Sequence, residues 1–125
     1  MSEQRKFSNR PWVYVAGPYS TGDVVMNVRM AVLVGHVLLQ EGFFPLVPHL
    51  THTWHMIAPR EYEDWLAYDM EVLNNCDALL RIPGLSSGAD KEVAFAKAND
   101  IKVYHDIDAL FKDYPRRGAN DERLQ

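Results

Sequence analysis

"ALLRIPGLSSGADKEVAFAKANDIKVYH", residues 78–105, decides the fold. Its opening run, 78–82, is short and apolar, and Pro83 stops it, so it reads as a buried strand. Residues 89–99 carry helix formers at helical spacing. Residues 101–105, IKVYH, return to a strand pattern. Strand, helix and strand within 28 residues form one βαβ unit, and such a unit demands parallel strands with a crossover helix between them.

The same alternation extends upstream. Residues 12–16, WVYVA, are a buried strand ended by Gly17-Pro18. Asp23 is placed to cap a helix over 24–41, with Val25, Val28, Ala31, Val32, Gly35 and Leu39 on its inner face and Gly42 just past its end. FFPLVP, 43–48, is the next strand. Residues 49–59 show no period and read as a loop. Pro59 starts a helix to about residue 75. A last short helix covers 107–113. The expectation is one α/β domain over 1–114, doubly wound and Rossmann- or flavodoxin-like. Its sheet is mostly parallel with helices on both faces, and residues 115–125 form a polar tail.

Composition narrows the function. A net charge of −4 argues against broad binding to a nucleic acid polymer. One cysteine, Cys76, permits no internal disulfide and fits a reducing, cytoplasmic setting. No apolar run has the length of a membrane span. The apolar share, 47%, suffices for one core.

In a doubly wound sheet ligands lie beyond the carboxyl ends of the strands. Those ends carry Gly17 to Tyr19, His49, the 83–88 loop and His105. Ser86-Ser87-Gly88 opens a helix, as does Ser20-Thr21-Gly22; each is either an anion cradle or an ordinary capped turn. Asn27 and Arg29 follow the second of these turns. Asp69 shares the inward stripe of its helix with Tyr62, Trp65, Leu66, Met70 and Leu73. By itself it reads equally as a structural acid. Glu92, expected in the first turn of the 89–99 helix, reads by itself as a dipole-favoured surface acid. Two carboxylates at one sheet edge, however, suit chemistry at an anomeric carbon. His49, His52 and His55, three apart, invite a metal. No cysteine or HExxH frame supports one, so no metal is expected, and His49, Trp54 and Trp65 suit a nucleobase better.

VYVAGPY, YDMEVLNNCDALLRI and SSGADKEVAFAKANDIKVY, in that order, resemble the nucleoside 2-deoxyribosyltransferase-like superfamily over about residues 12–105. That group includes deoxyribosyltransferases and nucleoside 5′-monophosphate N-glycosidases. The resemblance implies that Glu92 attacks C1′ of the sugar. Asp69 would handle the proton of the departing base, and Tyr19 would lie near sugar and nucleophile. His49, at the end of the second strand, would face the base, where the aromatic reading also puts Trp65. Gly17, Ser20, Asn27, Arg29, Ser86, Ser87 and Gly88 would complete the substrate site. Ser86, six before Glu92, matches the position where the monophosphate hydrolases use a serine for the 5′-phosphate. No cofactor is implied. The small apolar-rich unit and the family's habit suggest a homodimer or higher oligomer. The expected activity is hydrolysis of the base–sugar bond of a nucleoside 5′-monophosphate. The alternatives are base exchange by a deoxyribosyltransferase and a non-catalytic nucleotide sensor.

Overall fold

The structure, a computed structural model, describes residues 5–115. The expected polar tail thus lies outside the described residues except for Pro115. Four strands run β1 (Trp12–Ala16), β2 (Phe44–Leu46), β3 (Ala78–Arg81) and β4 (Lys102–Tyr104). They form one sheet in the order β2-β1-β3-β4, and every pairing is parallel. The helices are α1 (Val24–Gln40), α2 (Thr51–Ile57), α3 (Tyr62–Asn74), α4 (Ser87–Ala98) and α5 (Ile107–Asp113), with a single 3-10 turn at Pro48–Leu50. This is the doubly wound architecture that the alternation of strand and helix patterns predicts.

Period-two alternation divides the core. Val13, Val15 and Leu80 face α1 and α5, joining Ala31, Leu38 and Leu110. Tyr14, Ala16 and Leu79 face α3 and α4, joining Leu73, Ala89 and Ala96. The chain leaves β1 toward β2 on one side and returns to β3 on the other. The switch point, where a crevice opens in such sheets, therefore falls between the carboxyl ends of β1 and β3. Gly17 makes that junction possible, because a Cβ there would stand 2.2 Å from Ile82 Cγ1.

Several boundaries differ from expectation. Residues 51–57 are helical, not loop. This helix has no buried residue, so it lacks the apolar stripe by which a helix is read in sequence. The next helix begins at Tyr62 rather than at Pro59, with Glu61 in extended backbone before it. Tyr62 does not join the inward stripe; it is 52% exposed. On α1 the buried line is Ala31, Gly35 and Leu38, while Val25 and Val32 are exposed. A helix with apolar residues on most sides gives no sharp signal of which side faces inward. Asp23 does cap it, accepting from the Met26 amide, and Gly42 follows it with φ +96. Finally, α4 begins at Ser87, two residues before the expected start, with the Ser86 hydroxyl accepting from the Ala89 amide as its cap.

Candidate active site

A cavity of about 410 Å³ opens at the carboxyl ends of β1 and β3. Gly17, Tyr19 and Ser20 line it from the β1 loop, and His49 from the end of β2. Trp65 and Asp69 reach it from α3, and Ser86, Ser87, Gly88 and Glu92 from the start of α4. Two of the expected residues stand elsewhere. Asn27 does not line the cavity; its side-chain amide donates to the Tyr19 and Thr21 carbonyls at 2.9 and 2.8 Å and so holds the first loop in shape. Arg29 is exposed on α1 and does not line it either. It lies six residues past the cap of a helix that leads away from the strand ends.

Glu92 is the best-buried carboxylate in the cavity, at 7% exposure. This excludes the surface-acid reading. Because α4 starts at Ser87, Glu92 occupies the second turn and not the first. The helix dipole acts chiefly on the terminal turn, so Glu92 relies on other partners. Tyr14 is one: its hydroxyl donates to Glu92 Oε2. Tyr14 projects to the α4 side of β1 by strand alternation and is fully buried. Burial and the Glu92 charge push its own pKa well above the usual value, so it serves as a donor. Burial drives the Glu92 pKa up to about 7, against the Tyr14 hydrogen bond and the positive charge of Arg81. Burial and then the charge of Glu92 also push Asp69 up to about 7. Two acids thus meet at one cavity with affinities for a proton near neutrality.

Tyr14 was not singled out in the sequence. Its signal was a hydroxyl inside a strand buried on both faces, which needs a partner. Tyr19, the tyrosine expected beside the nucleophile, lines the same cavity as Glu92, and its hydroxyl stands 2.7 Å from His52 Nδ1, tying the first loop to α2. His49 is buried, with Nε2 2.9 Å from the Pro18 carbonyl. A carbonyl only accepts, so Nε2 carries the proton, and burial lowers the ring's pKa. Trp65 donates its indole N–H to His55 Nδ1 at 2.8 Å. The histidines of HLTHTWH therefore turn to three different partners. Among the described residues no group of three His, Cys, Asp or Glu could hold a metal ion.

Arg60 and Lys91 also line the cavity and were missed. Both are exposed; Arg60 lies in no recognisable motif, and Lys91 lies within SSGADKEVAFAKANDIKVY at a position to which the resemblance gives no role. Arg60 pairs with Asp64 at 3.0 Å, and the Lys91 ammonium stands 5.6 Å from the centre of the Tyr62 ring. Beside them Ser87 and Gly88, the first residues of α4, carry amides that have no acceptor within the helix. Lys91 and the N-terminus of α4 thus both lie beside Tyr62, whose hydroxyl oxygen a Cβ at Gly88 would meet at 3.3 Å, and Glu92 lies deeper.

Residues 11–106 match a family model described as a domain of unknown function, DUF7768. The chain belongs to the DUF7768 family. None of the curated proteins compared with this DUF7768 chain matches it. The matched span runs from the residue before β1 to the cap of α5, so the DUF7768 domain contains every cavity residue described above. No helix among the described residues is long and apolar enough to cross a membrane.

Proposed function

We propose that the cavity cleaves the base–sugar bond of a nucleoside 5′-monophosphate, as an N-glycosidase with a glutamyl-glycosyl intermediate. The observation that carries the reading is the pair of acids, buried Glu92 and half-buried Asp69, on two helices over one cavity. Anomeric chemistry of this kind needs one carboxylate and one carboxylic acid at the same pH. Two acids that each hold a proton up to about 7, and that repel each other when both are charged, favour that singly protonated state. The Tyr14 hydrogen bond and the charge of Arg81 favour Glu92 as the ionised member.

In the first step a Glu92 oxygen attacks C1′, the C1′–N bond breaks, and its electron pair passes to the base. Asp69 gives that base a proton and becomes the carboxylate. In the second step water attacks C1′, its proton passes to Asp69, and the ester bond to Glu92 breaks. Both carboxyl groups then regain their starting states. The 5′-phosphate would meet the Ser87 and Gly88 amides and Lys91, away from the acids. The anion cradle and the attacking carboxylate therefore need not compete, since they occupy successive turns of α4. His49, at the β2 end, would stand near the base. A deoxyribosyltransferase would share the first step and use a second base in place of water.

The test is release of free base from a panel of nucleoside and deoxynucleoside monophosphates, with and without a different free base added. Glu92→Gln should lower turnover about a thousandfold or more while the fold stays intact. Near-normal turnover in that variant would end the mechanism. Exchange in place of hydrolysis would reassign the enzyme as a transferase.

A further inference from the structure

We propose that Arg81 is a positioning residue for the cavity. Its guanidinium ties the turn after β3 to the start of α4 and sets a permanent positive charge next to Glu92. This rests on the glycosidase reading only where turnover is concerned. Arg81 is the last residue of β3, two after Leu79, so alternation directs it to the α3 and α4 side of the sheet, the side of Tyr14 and Glu92. Its side chain is only 11% exposed. It neither lines the cavity nor reaches solvent as a surface arginine would.

The bonds of this guanidinium fall on the turn after β3 and on the first turn of α4. Nη1 donates to the Ile82 carbonyl; Nη2 donates to the Gly84 carbonyl at 2.9 Å and to Asp90 Oδ1 at 3.2 Å. One rigid fork thereby holds a strand end, a turn and a helix. The turn is itself exacting. Gly84 has φ +122, and a Cβ there would lie 2.6 Å from the Pro18 ring in the first loop. Arg81 thus fixes the β3–α4 rim of the crevice, where Gly84 closes on the first loop, and with it the backbone that carries Ser86, the Ser87 and Gly88 amides and Glu92.

The charge has a separate effect. Glu92 is faced by Tyr14 from β1, Arg81 from β3 and Asp69 from α3, with Asp90 and Lys91 beside it on α4. Arg81 is the cation that draws the Glu92 pKa down against burial. A lysine would keep the charge and lose the fork, whereas a methionine would lose both. The two roles therefore separate by substitution.

The experiment is carboxyl-carbon NMR titration of Glu92 in the full chain, the signal assigned by its loss in Glu92→Gln, together with amide exchange. In Arg81→Met the Glu92 midpoint should rise, and the acid limb of any turnover profile should move alkaline, costing about tenfold in rate near pH 6. In Arg81→Lys the midpoint should stay near the wild-type value. The Ala89 and Asp90 amides, bonded to Ser86, should exchange about tenfold faster because the clamp is gone. An unmoved midpoint in folded Arg81→Met overturns the electrostatic role. Unchanged exchange in Arg81→Lys overturns the clamp, and this variant decides the matter if Arg81→Met does not fold. A shifted midpoint in a protein that cleaves no nucleotide upholds the role of Arg81 and removes the glycosidase reading instead.

Discussion

Tyr14 contributes one hydroxyl to this protein, and that hydroxyl bears on the state of Glu92. Tyr14→Phe keeps the ring in the core and removes the donor to Glu92. With that donor gone the Glu92 pKa should rise, because the bond favours its charged form. Turnover near pH 6.5 should fall about tenfold and recover toward higher pH; an acid limb that does not move would remove Tyr14 from the mechanism. Stability carries the same signature. Glu92 and Asp69 hold their protons to about 7 in the native state but only to their ordinary 4.5 and 3.8 in the unfolded chain. Through that window the native state binds more protons, so stability falls as pH rises. Glu92→Gln should flatten the fall and raise the melting temperature at pH 8, read by thermal unfolding across pH. A wild-type melting temperature independent of pH through this window would show that neither acid is perturbed. In the sequence, Glu92 and Asp69 were legible as acids at a sheet edge. Their proton affinities were not, because these depend on burial and on how closely α3 and α4 pack on one face of the sheet.

α4 shows how a shift of two residues changes an argument. From periodicity alone it begins at 89 and places Glu92 at the positive end of the dipole. The capped start at Ser86 makes Ser87 and Gly88 the terminal amides and moves Glu92 up a turn. The Ser-Ser-Gly run hid this start, since it reads equally well as a turn. α2 escaped for the opposite reason: it buries nothing and so carries no stripe. The element that opens the proposed phosphate site also yields a test. Lys91→Ala removes an exposed side chain and should leave the fold intact. The KM for a nucleoside 5′-monophosphate should rise about tenfold, the scale of one charge-assisted bond, with little change for the free nucleoside. Equal changes for both substrates would remove Lys91 from phosphate recognition. Arg29, which follows a Ser-Thr-Gly turn, lies outside the cavity, and the cations that line it, Lys91 and Arg60, come from α4 and from the segment before α3.

In the whole molecule, the alternation of strands and helices along the chain was legible, because β1, β2 and β3 each run into Gly or Pro; the order of the strands across the sheet came only from the structure. The crevice followed from that order, and its walls meet at Gly17 and Ile82. Gly17→Ala should cost about 1–3 kcal/mol in denaturant unfolding, since its Cβ would press on a buried side chain. Combined with Ile82→Ala the loss should be less than additive, and strict additivity would show that the contact is not what matters. The two ends of the sheet differ in kind from its centre. β2 and β4 are three residues each, and β2 has proline at its middle. Phe44 donates inward to the Pro11 carbonyl, so alternation turns the nitrogen of Pro45 outward, where there is no hydrogen to offer. A neighbouring chain seeking to add a strand beside β2 therefore meets an interrupted ladder. On the β2 side the sheet is guarded against growth by edge-to-edge stacking, and the guard is built into the backbone of the strand rather than laid over it.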